Sequence, residues 1–478
     1  MHEKTKFFID GCWVEPESKK WLDVINPATA KISGHIGNAQ AADVHKAVAA
    51  ARSAFPSFSA TSVSDRVALL DRIIEIYRSR QAEMGDAIRE EMGAPAWLAD
   101  GFQTLLGIIQ LEQARDAVKV FEADTSFGTS LLMHEPIGVC GFITPWNWPM
   151  NLVAAKVAPA LAAGCTMVLK PSEVAPYSSY LFAEILEAAG VPKGVFNLVN
   201  GTGDETGAAL SSHPEVDLIS FTGSTRAGIE VARNAAPTIK RVLQELGGKS
   251  AHIILSDADL TTAVERNIDT LMTNSGQTCN APTRMLVPSK LMQDAAEIAK
   301  AAVEKWDVGD PGGNSRMGPV AHSAQWNKIQ SLIQAGIDEG AVLVTGGLGM
   351  PKGLSSGFYA RPTVFTNVTS DMRIAKEEIF GPVLSIIAYQ DDDEAIDIAN
   401  NATDYGLAGY VSGTDQHRCQ AIARKLRAGQ VFVNDAENDF SMPFGGFKQS
   451  GNGREWGTYG LHEFFETKAI IGYDAKGM

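Results

Sequence analysis

The strongest constraint on this 478-residue chain is a run of five short apolar segments, at 137–143, 166–169, 195–199, 217–221 and 241–246, with helical segments filling the gaps. Strand, helix, strand at this spacing forces parallel pairing, because each crossover returns the chain in the same direction. The expected outcome is an α/β fold with a doubly wound, Rossmann-type sheet, and such sheets bind ligands beyond the carboxyl ends of their strands.

A second alternating block follows from 251 to about 433, with expected strands at 252–255, 284–287, 383–388 and 409–411, and reads as another α/β domain. Residues 310–316 and 346–357 are rich in turn formers and should be loops. Ahead of the first strand the chain reads mainly helical. Val44, Ala47, Val48, Ala51 and Phe55 share one face, and after Ser64 as N-cap so do Leu69, Leu70, Ile73, Ile74 and Tyr77. Asp10-Gly11 suits a tight hairpin between 7–9 and 12–14. The stretch 118–135 and a candidate strand at 462–471 belong to neither core by pattern; they read either as an arm that pairs with another subunit or as simple edge strands.

A length of 478 residues implies about two to three domains. The net charge of -15 opposes binding to nucleic acid or anionic lipid, and no Lys/Arg cluster offsets it. The first ten residues lack the pattern of a signal peptide, so the protein is expected in the cytoplasm. The apolar stretch 151–169 is broken by Lys156, Pro159 and Gly164, so it reads as buried helix plus strand rather than a membrane span. Five widely spaced cysteines, with no CxxC pair, indicate neither a disulfide framework nor a metal site.

Each of the five strands ends in something polar or glycine-rich. Pro145-Trp146-Asn147-Trp148-Pro149 follows the first, and Pro149 suits the first helical turn, which sets the Asn147 amide near a positive helix end. Gly201, Gly203 and Gly207 fail the GxGxxG spacing and fit a plain tight turn as well as a dinucleotide loop. Gly223 and Ser224 open a helix, either as a simple N-cap or as an anion site for a pyrophosphate. Cys279 lies in the loop Gly276-Gln277-Thr278-Cys279-Asn280; a single cysteine is commonly an inert core residue, yet this setting leaves the thiol free to react. Glu245 ends an apolar strand, where it is either a satisfied seam carboxylate or an acid with a raised pKa. The GxSxG match at Gly353-Leu354-Ser355-Ser356-Gly357 sits in a loop without the strand and helix that a serine nucleophile needs.

Taken together, the segments 145–149, 170–173, 221–224, 245–249, 276–279, 377–382 and 443–451 resemble the aldehyde dehydrogenase superfamily, in its acid-forming branch, over essentially the whole chain. The resemblance implies a cofactor-binding domain at 1–117 and 138–246, a catalytic domain at 247–445, and a small β oligomerisation arm at 118–137 and 446–478 of a homodimer or homotetramer. It implies that Cys279 attacks the aldehyde, that Asn147 and the Cys279 N–H hold the oxyanion, that Glu245 activates water, and that Lys156 and Glu455 lie on a proton path, unless they form only a salt bridge. For NAD it implies Trp146, Lys170, Ser172, Glu173, Gly203, Gly207, Phe221, Gly223, Ser224, Leu246, Gly247, Glu378 and Phe380. Glu173 favours NAD by repelling a 2′-phosphate, although some members with this residue tolerate NADP.

This chain departs from the commonest family form at Asn280-Ala281-Pro282-Thr283. Trp148, Leu152 and Ala155 should face the substrate tunnel. The loop 435–440, with Asp435, Glu437 and Asp439, should form its mouth, either to welcome a cationic aldehyde or simply to be solvated. Two rivals remain: a CoA-acylating relative, against which Glu245 argues, and a catalytically idle protein on the same fold, against which intact Cys279, Asn147 and Glu245 argue.

Overall fold

The computed structural model describes residues 2–434 and 436–474. Its first large sheet has eight strands among the described residues, in the order Gly451–Asn452, Arg241–Glu245, Leu218–Thr222, Val139–Ile143, Thr166–Lys170, Phe196–Leu198, Phe7–Ile9, Cys12–Val14. The five central strands are parallel, within two residues of the expected bounds at each end. Their sequences are largely apolar because helices cover both faces, which is what makes such strands legible.

Strand Val139–Ile143 has Thr166–Lys170 on one side and Leu218–Thr222 on the other. The chain winds outward from it in one direction and then returns to build the opposite flank. At such a reversal the crossover helices leave on opposite faces and open a crevice at the strand ends. Helix Pro149–Ala163 starts there with Pro149 at its first position, and nearly all of its side chains are buried. A helix apolar on every side has to lie inside a layered core.

The second sheet runs Val342–Thr345, Thr363–Thr366, Val383–Tyr389, Arg284–Pro288, Ala251–Ile254, Ala408–Ser412, Gln430–Val433, parallel except at Val342–Thr345. A third, antiparallel sheet joins Phe465–Ile470 to Ser130–Pro136 and Asp124–Phe127. Within 446–478, Phe447–Lys448 pairs instead with Tyr405–Gly406, and Gly451–Asn452 closes the edge of the first sheet beside Glu245. No helix among the described residues is long and apolar enough to cross a membrane.

Three expectations need correction, and three strands were not foreseen. The first quarter is not mainly helical at its start, since Trp21–Asn26 and Lys31–Gly37 form a hairpin that His2–Lys4 joins in parallel. This small sheet reaches the main core mainly through Val24 and Ile36, and Trp21 and Ile32 are exposed, so its alternation is weak. The N-cap of the second helix is Ser62 rather than Ser64: Ser62 Oγ accepts from Asp65 N (3.1 Å) while the Asp65 carboxylate accepts from Ser62 N (3.2 Å), a reciprocal box that Ser64 has no partner to make. The stretch from 118 is not extended at its start, because helix Thr104–Lys119 runs into it. Strands Val342–Thr345, Thr363–Thr366 and Gln430–Val433 had no sequence signal strong enough to separate them from the loops around them.

Candidate active site

A cleft of about 1150 Å³, its open mouth included, lies at the reversal point of the first sheet. One wall is Pro145 to Trp148 and Thr222 to Ser224, from the carboxyl ends of adjacent strands. The opposite wall comes from the second α/β unit through Thr278, Cys279, Asn280, His322, Glu378 and Phe380.

Cys279 reaches this cleft from a turn of unusual backbone. After helix Leu260–Met272, Asn274 (φ 58°), Ser275 (φ 57°) and Gly276 (φ 72°) are all left-handed. Only the glycine adopts that region freely, and each of the others costs roughly 1 kcal/mol or more. A Cβ at Gly276 would lie 2.2 Å from the backbone of Gly381, so this close approach also requires glycine. The turn is held by Ser275 Oγ donating to the Gly318 carbonyl (2.9 Å) and by Ala321 N donating to Gln277 Oε1 (2.8 Å). Cys279 is half-buried; Cys140, Cys165 and Cys419 are fully buried, and Cys12 is exposed on the amino-terminal hairpin. Burial first, then the Glu245 and Glu378 carboxylates, pushes the Cys279 thiol up, so the resting sulfur carries its proton.

Asn147 is 3% exposed and its Nδ2 donates to the Gln277 carbonyl (3.0 Å), which leaves the second amide hydrogen for the cleft. Trp148 Nε1 donates to Thr278 Oγ1 (3.1 Å), a second tie between the two walls. Glu245 lies behind the cleft at the end of its strand, 4% exposed, with neither carboxylate oxygen hydrogen-bonded to protein. Burial, reinforced by the neighbouring Glu455 charge, raises its pKa well above the usual carboxylate range. Lys156 and Glu455 form an ion pair in the interior, and Lys156 Nζ also donates to Ser220 Oγ (2.9 Å). Glu455 borders the cleft, and its Oε2 has no protein partner.

Of the residues expected to hold a dinucleotide, Trp146, Gly223, Ser224, Leu246, Gly247, Glu378 and Phe380 line the cleft. Ser224 caps helix Thr225–Ala235, its Oγ accepting from Ala227 N (3.3 Å). Glu378 Oε1 accepts from Gly248 N (2.8 Å), and a Cβ on Gly247 would press on the same carboxylate. Phe380 holds a left-handed φ of 57° and meets Trp146 edge to face. Phe221 packs under Gly223. Lys170, Ser172, Glu173, Gly203 and Gly207 lie outside this cleft: Lys170 Nζ donates to the Pro171 carbonyl (2.9 Å) and pairs with Glu173 Oε2 (3.2 Å), while Gly203–Gly207 form a π-helical turn behind Thr202. The cleft fits the cofactor on the chemistry of these groups, with a helix N-terminus for phosphate and a carboxylate for ribose hydroxyls.

Trp148 and Leu152 line the cleft; Ala155 does not, and packs beneath it with Leu407, Phe444 and Trp456. From the mouth loop, Asn438 and Phe440 face inward, while Glu437 is exposed and Asp439 Oδ1 accepts from Ser441 N (2.9 Å) and Oγ (2.6 Å). Asp435 lies outside the described residues. The sequence reading missed Phe102, Leu106, His322 and Gln325, whose approach depends on packing between distant elements. Ser355 sits in an exposed loop. His45, His213 and Glu215 gather at the surface, but the two rings meet nitrogen to nitrogen at 3.1 Å with centroids 5.4 Å apart; that places the contact along the line of the ring centres, as one N–H···N bond does.

A thiol and a carboxamide sharing one cleft at the carboxyl edge of a doubly wound sheet define a thiol-bearing enzyme of the dinucleotide-binding class. The aldehyde dehydrogenase family model matches residues 13–470, and the chain belongs to that family. It is 53% identical over 478 residues, 100% of both chains, to a 3-succinoylsemialdehyde-pyridine dehydrogenase from a Pseudomonas species. The structure of a mutant of aldehyde dehydrogenase C from Pseudomonas syringae, complexed with NAD+ and octanal, superposes with a TM-score of 0.97 at 49% identity, covering 98% of this chain and 97% of that one. An aldehyde dehydrogenase from Bartonella henselae gives 0.97 at 48% identity, covering 98% and 99%.

Proposed function

We propose that this enzyme oxidises an apolar aldehyde to a carboxylic acid with NAD, through a thioester on Cys279. The observation that carries the reading is the single thiol in the cleft, which it shares with the Asn147 amide and where the buried, unbonded Glu245 carboxylate behind it acts on the sulfur. Cys279 gives its proton to solvent at the open cleft and its sulfur adds to the aldehyde carbon, the carbonyl electron pair moving onto oxygen. The Asn147 amide and the Cys279 N–H donate to the oxyanion, which stabilises the developing charge. Trp146, Gly223, Ser224, Leu246, Gly247, Glu378 and Phe380 hold NAD, which when bound supplies the hydride acceptor. Glu245, held by no hydrogen bond, turns toward the thioester and takes a proton from the attacking water; Glu455 and Lys156 continue the proton route inward. Protein, octanal and NAD without CoA should form NADH through many turnovers. Formation only on adding CoA would establish the acylating rival instead.

The substrate class follows from the walls. Phe102, Leu106, Trp148, Leu152, Phe440 and Trp456 surround the aldehyde end. Of the charged groups bordering the cleft, Glu455 is paired with Lys156, and Glu378 with Lys328 stand toward the cofactor residues. No carboxylate of the described mouth loop faces inward, which favours the solvated reading of that acidic loop. In a straight-chain series, kcat/KM should climb about fourfold per CH2, the equivalent of roughly 0.8 kcal/mol, until the tunnel is filled. An ω-amino aldehyde of octanal's length should be at least about tenfold poorer; equal rates would refute the apolar reading.

Glu173 is half-exposed beside Lys170 and is assigned to the adenosine ribose. Glu173→Gln should improve kcat/KM for NADP relative to NAD by about tenfold, since it removes the charge that repels a 2′-phosphate. An unchanged ratio in a steady-state assay with both cofactors would take Glu173 out of that role. The division into cofactor-binding (1–117 and 138–246), catalytic (247–445) and arm (118–137 and 446–478) domains is part of the same proposal, with the arm's sheet joining copies into a homodimer or homotetramer. Five cysteines without a disulfide suit a reducing cytoplasm.

A further inference from the structure

The two donors assigned to the oxyanion, Asn147 Nδ2 and Cys279 N–H, stand on separate loops, and their aim depends on how those loops are fastened together. Asn274 fastens them. Its Nδ2 donates to the Asn147 backbone carbonyl (2.8 Å) and to the Gln277 carbonyl (3.3 Å), so one amide nitrogen spends both hydrogens across the gap. Asn147 Nδ2 returns to that same Gln277 carbonyl (3.0 Å). On the far side, Asn274 Oδ1 accepts from Gln103 Nε2 (3.0 Å).

The three amides of this relay are buried: Gln103 is 1%, Asn274 2% and Asn147 3% exposed. Their orientations follow from one another. With Asn274 Nδ2 committed to two carbonyls, its oxygen has to face Gln103, and Gln103 has to present nitrogen. That leaves Gln103 Oε1 buried without a partner, a cost that packing alone does not explain. Two backbone irregularities deliver these side chains. Gln103 ends the π-helical segment Trp97–Gln103, in which each turn holds an extra residue, and Asn274 holds a φ of 58°. The preceding residue of the same π segment, Phe102, lines the cleft.

We propose that Asn274 and, through it, Gln103 are positioning residues that aim the Asn147 amide at the oxyanion. The inference rests on the assignment of Asn147 as an oxyanion donor. Removing the relay lets the Asn147 loop drift against the Gln277–Cys279 loop, so the donor is still present but points less well. Burial of substrate and cofactor is untouched.

The test is a double-mutant cycle read as the single-turnover rate of NADH formation, with NAD affinity and thermal midpoint measured on each variant. Asn274→Gly is preferred to alanine because glycine accepts the left-handed backbone. It should slow the single turnover about tenfold to a hundredfold, and Gln103→Ala about threefold to tenfold, with NAD affinity unchanged. Asn147→Ala alone should cost about a hundredfold or more. In the Asn147→Ala background, Asn274→Gly and Gln103→Ala should each change the rate by less than about twofold, because they act through an amide no longer there. Losses of full size in that background, or no loss in the single variants, would overturn the inference while leaving Asn147 in place. An unaffected Asn147→Ala enzyme would remove the assignment beneath it, and the inference with it. Should Asn274→Gly not fold, Gln103→Ala carries the same comparison from continuous helical backbone, where alanine fits.

Discussion

Cys279→Ala is expected to lower aldehyde-dependent NADH formation by at least about 10⁴-fold while NAD binding persists. No other sulfur is placed to substitute: Cys140, Cys165 and Cys419 are sealed in the cores, and Cys12 is on the amino-terminal hairpin. The variant should fold, because the turn that carries residue 279 is built by Asn274, Ser275, Gly276 and Gln277, and a half-buried thiol contributes about 1 kcal/mol or less. Turnover would be followed by NADH absorbance, and NAD binding by quenching of protein fluorescence. Retention of more than about 1% of the wild-type rate would exclude the thioester mechanism; loss of NAD binding as well would mean that the substitution had damaged the cleft rather than the chemistry.

The resting thiol explains why this loss should be so complete. Burial, and then the two nearby carboxylates, favour the protonated thiol, so the sulfur is a poor nucleophile until it gives its proton to solvent. The same arrangement protects an accessible cysteine from oxidation, which proceeds through the thiolate. Glu245 and Glu378 therefore each have two effects, one on the sulfur and one on the ligand it meets.

How far the sequence anticipated this site depends on the range of the interactions involved. The parallel strands were legible because burial on both faces leaves uninterrupted apolar runs, as in Met167-Val168-Leu169. Positions beside those runs followed, since Asn147, Ser224 and Glu245 are fixed by the strand that precedes them. What local pattern cannot supply is contact between remote segments. Lys156 and Glu455 are 299 residues apart, and sequence alone left open whether they meet at the surface or on a proton path; their pairing is interior. Gly451–Asn452, which the resemblance assigned to the arm, closes the first sheet beside Glu245. Ser62 shows the opposite limit: the capping signal is local, and the expected cap was Ser64, but Asp65, three residues after Ser62, completes the box at Ser62.

Glu245→Gln is expected to separate the two halves of the reaction. Acylation leaves one NADH per active site, so the variant should give a burst of near-unit amplitude followed by steady turnover slowed about 10²- to 10⁴-fold, the range a general base contributes. The pH dependence supplies an independent check. Because burial and Glu455 raise its pKa, Glu245 is held protonated at pH values where an ordinary carboxylate is ionised, and only the ionised form accepts a proton from water. In the wild type, the steady-state rate should therefore rise with pH as Glu245 ionises, over a range displaced well above that of a free glutamate. The glutamine variant cannot ionise, so that limb should vanish from its profile while the burst remains. The same raised pKa has a consequence for folding: the folded state binds this proton more tightly than the unfolded one, so the group's contribution to stability is greatest below the usual carboxylate pKa and is lost as pH rises through the folded value. Glu245→Gln should thus flatten the alkaline decline of the thermal midpoint. A variant with undiminished steady turnover, or one that keeps the rising limb, would assign the water-activating step to another group bordering the cleft, with Glu455 the first to be tested.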